Sequence, residues 1–199
     1  MSMPKGENRN APPKGSSIKV QPIQKTEDIN KIKALLKNNP RNLCLFTLGI
    51  NTNLRASDLC RLKVSQVKNV KPMQDIEIKE KKTGKTRRIT LNKSCVDSIS
   101  KLLNSNGHKE NDYLFVGQRG RLCPQTIHAL VKSWAKAVKL KGNYGSHSLR
   151  KTWGYHQRVT YSVPIPILMT CFNHNSQKQT LDYLCVQPEE VKNVYGNMI

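Results

Sequence analysis

From residue 26 onward the apolar positions fall into short periodic blocks divided by polar breaks, and the period switches from helical to extended and back. Ile29, Ile32, Leu35 and Leu36 recur three and four apart, the spacing of one helix face. Thr26 is placed to cap the start of that helix and Pro40 to mark its end. Residues 43–50 are apolar nearly all round, which reads as a helix buried on every side. Asn51-Thr52-Asn53 breaks it, and Ser57 can cap a short helix through Leu59 and Leu62. A two-residue alternation then takes over. Ile76 and Ile78 alternate with charged residues, as do Arg87, Ile89 and Leu91, which predicts two strands joined by the cation-rich turn Lys81-Lys82-Thr83-Gly84-Lys85.

Helical spacing returns from about Asn92, with Val96, Ile99, Leu102 and Leu103 inward and Gly107 beyond the end. Asp112-Tyr113-Leu114-Phe115-Val116 predicts a short third strand. Ile127, Leu130, Val131, Trp134, Ala135 and Val138 outline another amphipathic helix, stopped near Gly142. Residues 147–159, 164–172, 176–184 and 188–197 read as a closing run of helices, the last opened by proline at its first position. The expected class is therefore α+β and mainly α-helical, with one small antiparallel sheet of about three strands. Residues 1–24 are rich in Pro, Gly, Ser, Asn and Lys without periodicity and predict a flexible basic tail. The remainder, 25–199, is expected to be one domain, since 199 residues suffice for one well-buried core and fall short of two ample ones.

Charge narrows the partner. Lys and Arg number 34 against 13 Asp and Glu, a formal charge of +21, and the cations are spread along the sequence. A ribosomal or chromatin-like scaffold would satisfy that charge alone, but in any case the expected partner is a polyanion, bound in a strongly salt-dependent way. The six cysteines lack a Cys-x-x-Cys pair and several sit within apolar runs such as Leu43-Cys44-Leu45-Phe46, so they read as reduced core residues. Cys171 and His174 have half the spacing of a zinc site, yet no second half follows, and no metal is expected. No apolar signal core opens the chain and no stretch approaches the roughly 20 apolar residues of a membrane span, which points to a cytoplasmic, nucleoid-associated protein.

One constellation carries chemistry. His147 and Arg150 in His147-Ser148-Leu149-Arg150 are three apart at a helix start and share a face. That spacing alone fits any surface helix. With Arg55 upstream and His174 and Tyr183 downstream, however, the set supplies two planar guanidinium forks for phosphate oxygens, two imidazoles active near neutral pH and a phenol able to form an ester with phosphorus.

On these residues the chain resembles the catalytic domain of the tyrosine recombinases, the phage integrase family, from about Asp28 onward. The family's first arginine and following acid correspond to Arg55 and Asp58, its hairpin lysine to Lys82, its His-x-x-Arg box to His147 and Arg150, its later histidine to His174 and its nucleophile to Tyr183. The resemblance implies site-specific cutting and rejoining of double-stranded DNA through a 3′-phosphotyrosyl intermediate, with no cofactor and no metal. Tyr183 would attack phosphorus with His147 taking or orienting its proton, Arg55 and Arg150 would hold the non-bridging oxygens, and His174 would add a hydrogen bond. Lys82 would protonate the departing 5′-oxygen, its acidity sharpened by Lys81 and Lys85, while Lys85 and Arg88 would contact the duplex. Asp58 is expected beside the site, and Trp153 and Tyr155 are expected in the core rather than stacking on bases. The family also implies a homotetramer on DNA and an accessory DNA-binding domain or protein acting as a clamp.

A relaxing enzyme like the type IB topoisomerases, or a catalytically silent DNA-binding protein of the same fold, remains an alternative. Three departures matter. Asn53 and Asn173 stand where glycines are common in the family, and asparagine tolerates the left-handed backbone such turns require. Asp182 beside Tyr183 would make the phenol slightly harder to ionise.

Overall fold

The computed structural model describes residues 19–81, 84–105, 107–184 and 195–196. Helix α1 spans Thr26–Leu35, with Lys25 rather than Thr26 at the cap position and no side-chain cap; Glu27 and Asp28 face the positive end of the helix instead. Pro40 opens α2, Pro40–Asn51, rather than closing α1, and the Asn39 carbonyl oxygen of the side chain accepts the Asn42 N–H at 3.0 Å. The short α3, Ala56–Leu59, has Arg55 at its cap position, so Ser57 lies inside it and donates to Asp58 instead of capping. A further turn, α4, covers Val64–Val67.

The sheet is smaller than the sequence pattern predicts. Strands β1, Gln74–Lys79, and β2, Thr86–Leu91, pair antiparallel with Ile76 opposite Ile89. Ile76, Ile78, Ile89 and Leu91 are buried, so the alternation read from sequence has one true core face. Residues 112–116 do not add a third strand to it. The Leu114 N–H donates to the Leu62 carbonyl and the Val64 N–H to the Asp112 carbonyl, so this segment pairs with the approach to α4 through a single Lys63–Tyr113 bridge. Beyond it, β3, Val116–Gly117, and β4, Gly120–Arg121, form a separate small hairpin.

Helix α5, Lys93–Ser105, starts where Asn92 accepts the Cys95 N–H at 3.0 Å. Helices α6, Pro124–Ala137, α7, Ser146–Val159, α8, Ile165–Phe172, and α9, Gln177–Leu184, follow the predicted blocks closely. The helix expected over 188–197 lies outside the described residues, apart from a turn at 195–196. Among the described residues no helix is long and apolar enough to cross a membrane.

Helix α2 is the hub. Cys44, Leu45, Phe46 and Leu48 are fully buried, and Phe46 meets Trp134 of α6 edge to face with ring centroids 5.9 Å apart. The helix runs against α7 at Gly49, where an added Cβ would sit 2.5 Å from Leu149 Cδ1. On its other side α7 meets α8 and α9. Gly154 leaves room there for Phe172 and Leu184, which with Leu168 form a second small core. Trp153 packs edge to face on Phe172 at 5.4 Å, the packing role expected of it. Burial pushes the thiols of Cys44 and Cys95 up to about 12 and that of Cys60 to about 11, as inert core cysteines; Cys123 departs from that pattern and is exposed.

The last residues of the expected tail are docked rather than flexible. Ile23 is buried, its N–H donates to Thr152 Oγ1 at 2.8 Å, and its carbonyl oxygen lies 3.0 Å from His156 Nε2. Residues 1–18 lie outside the described residues.

The Gly154 contact generates a test. A Cβ there would lie 2.5 Å from Phe172 Cζ and 2.7 Å from Leu184 Cδ2, so Gly154→Val must push α8 and α9 off α7. Urea unfolding of the variant should show a loss of about 1–3 kcal/mol, the usual cost of overpacking.

Candidate active site

Two tight turns bring the distant parts of the site together. Asn53 and Asn173 both adopt left-handed backbone with φ +54°, as the residue type permits. The Asn53 amide donates to the Cys171 carbonyl at 2.7 Å, tying the α2–α3 turn to the end of α8. Arg55, next along that turn, places Nη1 2.9 Å from Glu80 Oε2, and Glu80 Oε1 accepts from Arg87 Nη1 at 3.3 Å. Glu80 is only 2% exposed, so one buried carboxylate bridges two guanidiniums. Asp58, also buried, accepts the Lys81 N–H at 3.0 Å. The chain leaving β1 is thus fastened twice to the turn that carries Arg55.

Lys82 lies outside the described residues. Lys85 is exposed and lines a cavity of about 340 Å³ with Glu80, Arg87 and residues of the α8 end. Arg88 projects from β2 into solvent and pairs loosely with Glu77, an exposed contact of little energetic weight.

Helix α7 supplies the other wall. His147 lies at its first turn, and Arg150 and Lys151 are buried one turn on. Arg150 Nη2 donates to the Phe172 carbonyl at 2.8 Å, while its buried Nε has no hydrogen-bond partner among the described residues. Tyr183 of α9 stands across from them. Its hydroxyl is 3.5 Å from His147 Nδ1, and its ring centroid is 5.7 Å from the Arg150 guanidinium carbon and 5.4 Å from Lys151 Nζ. His174 stacks on Phe172 with centroids 5.0 Å apart, meets Tyr183 edge to face at 5.5 Å, and keeps Nδ1 3.0 Å from Thr180 Oγ1. His147, Arg150, His174 and Tyr183 thus lie against one another, and Arg55 comes near enough from the neighbouring turn to act on the charges of His147 and Arg150.

Electrostatics confirm the crowding. Burial lowers the Arg150 pKa to about 10; nearby Tyr183 and Glu80 oppose the fall and Arg55 and Arg87 add to it. The His147 imidazole has one edge open to solvent yet is shifted down, first by desolvation among its neighbours and then by Arg150, Lys151, Arg55 and His128. A cluster of cations around a buried guanidinium whose Nε meets no partner among the described residues suits an anion with several oxygens.

Comparison with known proteins decides the assignment. The model of the phage integrase family matches residues 24–190. The chain belongs to the phage integrase family. It is 36% identical over 181 residues to the probable integrase/recombinase YoeC of Bacillus subtilis, covering 88% of this chain and 95% of that protein. It is 30% identical to the tyrosine recombinase XerA of Pyrococcus horikoshii, covering 86% of this chain and 59% of the relative. This integrase-family chain thus spans nearly all of one relative and little more than half of another. Its fold matches a crystal structure of XerA recombinase with a TM-score of 0.72 at 22% identity, over 94% of this chain and 66% of that one. It also matches XerH bound to palindromic difH substrate, with a TM-score of 0.69 at 18% identity, over 89% and 53% of the two chains.

Sequence reasoning missed three charged residues that the fold brings against this cluster, Glu80, Arg87 and Lys151. Glu80 was detectable as an acid stranded in a run of cations, Lys79-Glu80-Lys81-Lys82, a pattern that on a strand end suggests a buried counter-charge. Arg87 is visible only as a strand residue, and Lys151 only as the neighbour of Arg150; neither carries a spacing signal.

The lowered His147 pKa has a consequence for stability. The folded state binds its proton less readily than the unfolded chain, so this residue contributes stability above the unfolded value near 6.5 and loses it as pH falls toward the folded value. His147→Gln should therefore lose less stability than wild type between pH 7.5 and about pH 5, read by denaturant titration across that range.

Proposed function

We propose that Tyr183 is the nucleophile with which this chain, by family a tyrosine-type site-specific recombinase, breaks and rejoins double-stranded DNA. The observation that carries the reading is the Tyr183 hydroxyl set 3.5 Å from His147 Nδ1 with the Arg150 guanidinium over its ring. Tyr183 Oη attacks the scissile phosphorus, the phosphorus–O5′ bond breaks, and a 3′-phosphotyrosyl ester conserves the bond for rejoining. His147, kept largely neutral at pH 7 by its lowered pKa, takes the phenol proton. Arg150 and Arg55 hold the non-bridging oxygens, each already oriented by another contact, the Phe172 carbonyl for Arg150 and Glu80 for Arg55. His174, fixed by Thr180 and Phe172, adds a donor, and Lys82 returns a proton to the 5′-oxygen. The 5′-hydroxyl of a partner strand reverses the step and needs no external energy.

The +21 charge supports a broad DNA footprint, with Lys85 and Arg88 on the exposed hairpin contacting backbone phosphates. Recombination joins two duplexes, each cut on both strands, so the working assembly is a homotetramer on DNA. A clamp, in the same polypeptide or in a partner, would complete the grip around each duplex.

Incubation with a nicked duplex that traps the cleaved strand should give a covalent protein–DNA band with wild type and none with Tyr183→Phe. Arg150→Ala should slow its formation at least about a hundredfold. Two-site plasmids should yield recombinants, whereas relaxation of a one-site supercoiled plasmid without recombinants would assign the topoisomerase-like reading. Absence of any adduct from wild type would leave a DNA-binding protein without turnover.

A further inference from the structure

Helix α7 brings a third cation to the phenol that the His147–Arg150 spacing does not announce. Lys151 is 7% exposed, and its Nζ lies 5.4 Å from the Tyr183 ring centroid, closer than the Arg150 guanidinium carbon at 5.7 Å. Successive residues on a helix are about 100° apart, so Arg150 and Lys151 cannot share a face. Tyr183 reaches both because α9 packs into the angle between α7 and α8, where Gly154 leaves room for Leu184, the residue after Tyr183.

Whatever else holds it, a buried ammonium acts on its neighbours with little screening by water. A phenol with an ordinary pKa near 10 is protonated at neutral pH, and it must give up that proton as it attacks. A positive charge this near, in a poorly solvated position, favours the phenolate. The same charge also acts on His147, whose imidazole it helps to hold in the neutral, proton-accepting form.

We propose that Lys151 is a further positioning residue of the reaction, a buried ammonium that holds the Tyr183 ring and favours its phenolate as the hydroxyl attacks. The inference rests on the reading of Tyr183 as nucleophile. Lys151 does not act alone on the phenol. His147 and Arg150 face it from α7 and His174 from the α8–α9 turn, while Arg55, Arg87 and Glu80 bear on Arg150 from the neighbouring turn and hairpin, and Asp182 precedes it in the chain. Arg55, Arg150 and His174 are assigned to the phosphate and His147 to the phenol proton, whereas Lys151 has neither task, so its removal leaves the phosphate contacts in place and alters the charge felt by Tyr183 and His147.

The test uses the full chain with Lys151→Met, which keeps the stem and removes the charge, and Lys151→Arg, which keeps the charge. Tyrosinate absorbance of each protein minus that of its Tyr183→Phe counterpart reports ionisation of Tyr183 directly, without DNA. The pH dependence of adduct formation on the nicked duplex reports it in the reaction. Lys151→Met should move both curves to higher pH, by roughly a tenfold change in the acid constant, and Lys151→Arg should bring them back toward wild type. A folded Lys151→Met protein with both curves unmoved, or with adduct formation reduced equally at every pH, overturns the proposal. If Lys151→Met does not fold, Lys151→Gln replaces it; failure of every variant to fold makes Lys151 a structural cation and equally overturns the proposal. Should wild type form no adduct at any pH, the nucleophile reading fails, while the absorbance titration still decides whether Lys151 governs the phenol.

Discussion

A guanidinium buried at the junction of three helices sets the terms for the rest of this molecule. Arg150 is 3% exposed; its Nη2 donates to the Phe172 carbonyl, while its buried Nε meets no hydrogen-bond partner among the described residues. A charge so placed is costly unless its remaining donors meet an acceptor. The fold meets that demand in part, by turning the α8 terminus toward α7 through the left-handed Asn173 and presenting a carbonyl where the helix ends. The Phe172 and Tyr183 rings lie against the same guanidinium. A buried guanidinium with a donor to spare is a preset partner for an anion, the kind of fixed electrostatic environment that favours phosphoryl chemistry.

Keeping several cations so close requires an internal counter-charge, and Glu80 supplies it. By bridging Arg55 and Arg87 it prevents the two guanidiniums from repelling one another and fixes the rotation of Arg55. The same carboxylate stands at the end of β1, beside the Lys81 N–H that reaches Asp58. Charge balance and hairpin placement are therefore one piece of architecture, and the cation-rich turn that follows is anchored at its base. Phe172 plays the corresponding part on the other wall, with its carbonyl on Arg150 and its ring under His174 and against Tyr183.

Much of this was legible along the chain, for a physical reason. Helix faces and strand faces follow from spacings of a few residues, so α1, α2, α5, α6, α7, α8 and α9 lie near where the apolar pattern puts them. The His147–Arg150 pair could be read for the same reason, and the left-handed turns at Asn53 and Asn173 follow from the residue type. Errors arose where a local signal had two partners available. Thr26 and Ser57 each looked like a cap and each lies one or more positions inside its helix. Residues 112–116 have strand character, but their hydrogen bonds went to the segment before α4 rather than to the β1–β2 edge. Ile23 carried no periodic signal because a single apolar residue docking into a groove has none.

By itself, then, the sequence determined the elements, the residue types competent for phosphate chemistry and the family they resemble, because each of these depends on short-range spacing or on composition. Tertiary packing alone decided that Asn53 would hold the carbonyl of Cys171 across 118 residues, that Glu80 would be buried between two arginines, and that Lys151 would face Tyr183. Such contacts depend on how α2, α7 and α9 approach one another. That approach is set by small residues at the crossings, Gly49 and Gly154, and by the total volume of the core, which no local stretch of the chain encodes.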